Sequence, residues 1–196
     1  MSKQTTVFYN HFSFLYPVVD VFLKSHKRLL FNELNILADG KVLEIGVGNG
    51  VHLQLYKKHE VIGIDTSTAM LRTARKNLSI NVKVLEMDGE ALLFDDQTFD
   101  YIVLSHVIAV VDNTEQLLQE VHRVLKPQGK VFILNHFTPN NWLRYLDHVF
   151  EGIGRLLRFK SRFRIQDFKT IQKFTLQKEV NLGVASYFKL LIYQKG

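Results

Sequence analysis

An α/β fold, in which a mostly parallel sheet is covered by helices on both faces, is what this sequence predicts. Three observations carry that expectation. Between residues 41 and 137, short apolar runs alternate with stretches of helical periodicity. The first run leads straight into three glycines at every second position, in "KVLEIGVGNG" (41–50). At 196 residues the chain is long enough to bury one proper core, and strands joined through helices pair in parallel by right-handed crossovers.

The elements follow in order. Residues 12–37 form a long helical stretch, and "KVLEIG" (41–46) a buried strand. "VHLQLYKK" (51–58) reads as a helix with Leu53 and Leu55 near its inner side, and "EVIGID" (60–65) as the second strand. Thr66 or Ser67 then caps a helix running to about Leu78. "VKVLEMD" (82–88) and "FDYIVLSH" (99–106) are further strands. "TEQLLQEVHRVL" (114–125) has helical spacing at Leu117, Leu118, Val121 and Leu125, stopped by Pro127 and Gly129. "KVFILNHF" (130–137) is the fifth strand, and "NNWLRYLDHVFEGIGRLLRF" has a helical pattern. "FTLQKEVNLG" and "YFKLLIYQK" read as two closing strands around Gly183. One domain is expected over 1–196, with a helical lid (8–38), a core (40–137), a helical insertion (138–173) and closing strands (174–196).

Composition narrows the class. A hydrophobic share of 46% with three prolines describes a globular chain, and the lack of cysteine excludes disulfides and thiolate metal sites. No H-x-x-x-H spacing occurs, so no metal is expected. The longest apolar run, "FSFLYPVVDVFL", is broken by Pro17 and Asp20 and falls short of the ~20 residues that span a bilayer. With no secretory leader in the first residues, the expected location is the cytoplasm, and the expected state a monomer. The net charge of +6 is concentrated. Residues 151–173 hold seven basic side chains against Glu151 and Asp167, which calls for a negatively charged partner surface.

In an open parallel sheet, ligands bind beyond the carboxyl ends of the strands, where strand order reverses. Gly46, Gly48 and Gly50 lie at such an end and leave room for a ligand to approach the backbone. Asp65 ends the second strand, where a carboxylate accepts hydrogen bonds from ribose hydroxyls. A dinucleotide and S-adenosylmethionine both suit this arrangement. The spacing here is G-x-G-x-G, not G-x-G-x-x-G, and the acidic Glu44 favours an ammonium and a sulfonium over a pyrophosphate.

"VLEIGVGNG", "VIGIDTSTAML", "VLEMDGEAL", "FDYIVLSHVI" and "EVHRVLKPQGKV" resemble, in order and spacing, the successive motifs of the class I S-adenosylmethionine-dependent methyltransferases. That resemblance implies a Rossmann-like, seven-stranded, mostly parallel sheet with an antiparallel last strand and an added N-terminal helix. It also implies roles. Gly46, Gly48 and Gly50 would line the methionine portion, with Glu44 positioning its amino group. Asp65 would bind the ribose, with Thr66 and Met70 beside it, and Asp88 the adenine amine, with Gly89 and Glu90 adjacent. Ser105 and His106 would border the transferable methyl. Asn49 stands where the family commonly has threonine, and Gln128 where it has glycine.

"YNHFSFLYP" (9–17) sets Tyr9 and Tyr16 seven apart, on one helical face. Together with "SHVIAVVDN" and "LNHF" (134–137), it makes the chain similar to the bacterial phosphatidylethanolamine N-methyltransferases over roughly residues 8–168. The resemblance implies a peripheral enzyme at the inner face of the cell membrane that methylates a phospholipid amine and releases S-adenosylhomocysteine. Tyr9 and Tyr16 would close over cofactor and amine, beside a catalytic His106. Asn135, His136 and Arg144 would face the acceptor. The basic segment interleaves Arg155, Arg158, Lys160, Arg162 and Arg164 with leucine and phenylalanine, a pattern suited to an anionic membrane surface. Lys24, Lys27 and Arg28 of the first helix would add to it. The alternatives are a quinone-pathway C-methyltransferase or another small-molecule methyltransferase, an RNA methyltransferase using the basic segment, and a non-catalytic cofactor-binding regulator. No NPPY-like motif supports nucleic acid.

Overall fold

The computed structural model of the protein describes residues 16–108, 110–136, 165–182 and 188–196, with side chains of the first helix from His26 onward. The apolar runs form strands β1 (Lys41–Ile45), β2 (Glu60–Asp65), β3 (Val82–Glu86), β4 (Phe99–Ser105), β5 (Leu125–His136), β6 (Phe174–Leu182) and β7 (Phe188–Lys195). They make one sheet in the order β3-β2-β1-β4-β5-β7-β6. Pairing is parallel from β3 through β5, whereas β7 is antiparallel to both β5 and β6. The expected Rossmann-like architecture is therefore present, with β7 as the reversed strand.

Parallel strands covered on both faces bury nearly every residue, which is why they read as unbroken apolar runs. In β1 only Lys41 is exposed. Helix α1 (Tyr16–Asn35) covers one face through Leu30, Phe31 and Leu34, beside Leu71 and Ala74 of helix α2 (Thr68–Ala74). Helix α3 (Thr114–Val124) covers the other through Leu117, Leu118, Val121 and Val124. Each such fully buried leucine contributes about 2 kcal/mol. Ser67 caps α2 by accepting from Met70 N at 3.3 Å, and Asn113 caps α3 by accepting from Gln116 N at 3.1 Å.

Two expectations need correction. Over 51–58 there is no α-helix, only a 3₁₀ turn at Leu53–Leu55. Asn35 of α1 supplies the reason: its amide donates to Leu55 O at 2.9 Å and accepts from Lys57 N at 3.3 Å. Backbone groups that would continue a helix are thus satisfied by another element. The fifth strand also starts earlier than residue 130. Its pairing with β4 jumps from Phe99↔Leu125 to Tyr101↔Lys130, a bulge in which Gln128 takes the left-handed φ of 62°. Of the expected insertion over 138–173, the described part is two 3₁₀ turns, Ile165–Asp167 and Thr170–Lys173. Thr170 anchors them to the start of α3, its hydroxyl donating to Glu115 Oε1 at 2.6 Å.

Candidate cofactor and acceptor site

β1 and β4 are neighbours in the sheet, yet the chain leaves β1 for β2 on one side and leaves β4 for β5 on the other. A crevice opens at their carboxyl ends, the general ligand position in such sheets. The glycine loop, the end of β2, the turn after β3 and residues 105–108 converge there.

The loop's three glycines all have positive φ, at +77°, +58° and +69° for Gly46, Gly48 and Gly50. Their surroundings differ. A Cβ on Gly46 would lie 2.8 Å from Val107 Cγ2, and one on Gly50 would lie 2.7 Å from Ala74 Cβ. A Cβ on Gly48 would meet nothing within 4 Å among the described residues. Two glycines thus serve close packing, and the middle one leaves open space.

Asp65 holds this loop from the next strand. Its Oδ2 accepts from Gly48 N at 2.8 Å and its Oδ1 from Ser67 N at 2.9 Å. Burial pushes the Asp65 carboxyl above its ordinary value, and the Ser67, Gly48 and Thr66 amides offset that only in part. Thr66 and Met70 lie beside it, both half-buried. In the turn after β3, Asp88 Oδ1 accepts from Glu90 N at 3.0 Å. Gly89 is a packing glycine, since a Cβ there would lie 2.7 Å from Ile45 Cγ2. Glu90 reaches the chain after β4, where its Oε1 accepts from Asp112 N at 2.9 Å and Asn113 N at 3.1 Å. It braces the segment that begins with His106.

Glu44 is fully buried behind the loop. Its Oε1 lies 2.6 Å from His52 Nε2, and its Oε2 accepts from Tyr56 OH at 2.8 Å. Burial alone would raise the Glu44 carboxyl, but attraction and hydrogen bonding from His52, with Lys27 and Tyr56, bring it below the ordinary value. The half-buried Lys27 brings its Nζ to within 3.2 Å of His52 Nδ1, with a buried carboxylate beyond it. Arg28 is exposed on the same helix.

On the far side of the crevice, the buried Ser105 Oγ has no hydrogen-bond partner among the described residues. His106 adopts φ +59°, a strained conformation for a side chain of its size, while its amide donates to Leu134 O at 2.8 Å. Its ring meets Phe188 edge-on at 5.9 Å, and Phe188 stacks on His26 at 5.2 Å. Burial lowers the His26 pKa and so favours a neutral ring. Asn135 is buried at the adjacent end of β5. Phe188 and His26 escaped sequence reasoning, since only the insertion of β7 beside β5 brings them to His106.

Tyr9, Arg144, Arg155, Arg158, Lys160, Arg162 and Arg164 lie outside the described residues, as do the side chains of Tyr16, Lys24 and His136. Among the described residues, no group of three or more acidic or histidine side chains could hold a metal. Nor is any described helix long and apolar enough to cross a membrane.

Residues 43–133 match the sequence profile of a family described as "Methyltransferase domain". Phosphatidylethanolamine N-methyltransferase of Cereibacter sphaeroides is 32% identical over 163 residues, covering 80% of each chain. A demethylmenaquinone methyltransferase of Lactobacillus johnsonii is 31% identical, covering 67% of this chain and 60% of its own length. A crystal structure of a methyltransferase from Thermotoga maritima superposes with a TM-score of 0.69 at 20% identity, over 96% of this chain and all of that one, which shows a shared fold.

Proposed function

Because the chain belongs to the class I S-adenosylmethionine-dependent methyltransferases, we propose that it methylates the head-group amine of phosphatidylethanolamine at a membrane surface. The observation that carries this reading is the likeness to the Cereibacter sphaeroides enzyme, which runs through 80% of both chains and so beyond the glycine-loop core.

The residues present fit the cofactor. A Cβ on Gly48 would stand in open space, Asp65 presents a carboxylate at the end of β2, and the Ser105 hydroxyl is buried with no partner among the described residues. When bound, S-adenosylmethionine supplies a methyl group on a sulfonium that is already an activated leaving group. Gly46, Gly48 and Gly50 would take its methionine portion, Asp65 the ribose hydroxyls and Asp88 the adenine amine. The chain's own contribution is alignment and exclusion of water. A low-dielectric crevice keeps the acceptor amine neutral, with its lone pair available to the methyl. His106 and Asn135 orient that amine, and the rings of His106 and Phe188 suit its growing positive charge. Tyr9 and Tyr16 would close over it, with His136 and Arg144 toward the head group. The basic segment around Arg155–Arg164 would hold the enzyme on the inner face of an anionic membrane.

A second reading, methylation of a quinone precursor, is favoured by the likeness to the demethylmenaquinone enzyme, of which this chain spans 60%. Incubating the protein with methyl-labelled S-adenosylmethionine and total bacterial lipid, then separating the lipids, decides between them. Label in phosphatidylethanolamine derivatives supports the proposal. Label in the quinone fraction alone overturns it.

A further inference from the structure

Three buried side chains and the half-buried Lys27 join the first helix to both ends of the glycine loop. Lys27 Nζ lies 3.2 Å from His52 Nδ1, His52 Nε2 lies 2.6 Å from Glu44 Oε1, and Tyr56 OH donates to Glu44 Oε2 at 2.8 Å. Phe31 seals the group, with its ring 5.8 Å from His52 and 4.7 Å from Tyr56. Glu44 stands two residues before Gly46, and His52 two residues after Gly50. The Glu44–His52 bond therefore staples the loop at its base.

Donor and acceptor roles fix the protons. An ammonium has no lone pair, so His52 Nδ1 must accept from Lys27, and His52 Nε2–H must donate to Glu44. In this arrangement His52 bridges the Lys27 ammonium and the Glu44 carboxylate. With both oxygens held by the protein, Glu44 acts on the loop's shape. That role is distinct from touching the cofactor's amino group.

We propose that Lys27, His52 and Glu44 are positioning residues that set the glycine loop for cofactor binding. The inference concerns the loop and holds whichever acceptor is methylated. It has a specific consequence. Without Lys27 or His52, the buried Glu44 carboxylate loses a partner and the base of the loop loosens. Among the described residues, the charged and titratable groups bonded in this cluster are Lys27 from α1, His52 and Tyr56 from the crossover and Glu44 from β1.

The test measures S-adenosylhomocysteine affinity by calorimetry, and the thermal midpoint of the ligand-free protein. His52→Ala should weaken binding about tenfold, and His52→Gln, whose amide can both accept and donate, should recover most of that loss. Lys27→Met should weaken binding about fivefold, and Lys27→Arg should recover most of it. Native affinity in both His52→Ala and Lys27→Met overturns the proposal, and so does a lowered thermal midpoint with affinity unchanged. Should His52→Ala or Lys27→Met fail to fold, a loss in His52→Gln or Lys27→Arg as large as about tenfold at a native midpoint overturns it independently, because these variants keep the hydrogen-bonding groups.

Discussion

The Asp65 carboxylate accepts from the Gly48 amide at 2.8 Å, so the end of the second strand holds the loop that follows the first. One side chain therefore shapes the glycine loop and faces the crevice that the loop borders. Replacing it with alanine removes a charge-assisted hydrogen bond to the loop and the acceptor for a ribose. Such bonds contribute about 1.5–3 kcal/mol, so Asp65→Ala should weaken S-adenosylhomocysteine binding about 10- to 100-fold in calorimetry. A change below about twofold would remove Asp65 from the cofactor site.

The raised pKa of the same group gives a pH dependence. Ribose hydroxyls donate to the ionised carboxylate, so the deprotonated form is the one that binds. Affinity should be full above the folded-state pKa and fall as pH drops through it. Because that pKa lies above the ordinary 3.8, the fall begins at a higher pH than for a solvated aspartate. Calorimetric titrations in acid buffers, with circular dichroism confirming a folded protein, check this. In the ligand-free chain the sign is reversed: this group's contribution to stability declines as pH rises through the interval between its unfolded and folded pKa values.

The three loop glycines should separate experimentally. At Gly50 an added Cβ would lie 2.9 Å from Ala74 Cα, a backbone atom, and would also sit at φ +69°. Gly50→Ala should cost about 2 kcal/mol or more in denaturant unfolding. Gly48→Ala meets no neighbour and should cost only about 1 kcal/mol, from its backbone conformation. Its larger effect should be on cofactor affinity, because the new methyl stands in the open space. Equal stability losses at the two sites would contradict this division.

Glu44 shapes stability in acid. Its folded-state pKa is depressed, so its contribution is complete above the ordinary value of 4.5 and is lost as pH falls through the lower, folded one. Glu44→Ala leaves Lys27 and His52 without their carboxylate and should cost about 3–5 kcal/mol near neutral pH. Unfolding curves at neutral and acid pH should show the gap between native and variant narrowing with acidification.

Gln128 occupies a left-handed position, φ 62°, in the bulge of β5. Its side-chain oxygen accepts from Gln194 Nε2 at 2.9 Å, but its carbonyl accepts from the same amide at 3.1 Å. Gln128→Gly relieves the strain and keeps the second bond. The expected gain is about 1 kcal/mol, seen as a higher thermal midpoint.

Strands were legible in this chain because burial on both faces writes them as unbroken apolar runs; β2 begins and ends where "EVIGID" does. The crossover after Gly50 was not legible. His52 and Tyr56 have helical spacing, but their side chains answer to Glu44, and Asn35 of a distant helix takes the backbone groups a helix would use. Asp65 and the glycines were readable from position alone, since each sits at a strand end. The pairing of Lys27 with His52 was not, because it joins residues 25 apart on separate elements. Nor does sequence disclose a left-handed histidine, as the φ of His106 is imposed by its amide's bond to Leu134 in the neighbouring strand. Glu90 was placed near the adenine by its motif, while its carboxylate serves the start of α3.

The place of β7 has a consequence for the order of assembly. β6 is made before β7, yet among the described residues its sheet partner is β7, and β7 reaches the sheet through β5. The earlier strand therefore joins the sheet only with the later one or after it. Until β7 docks, the β5 edge stands open, and closing so long a loop is entropically slow. During synthesis the nascent chain would wait with its half-built sheet exposed, a window in which chaperone capture or edge-to-edge association competes with completion.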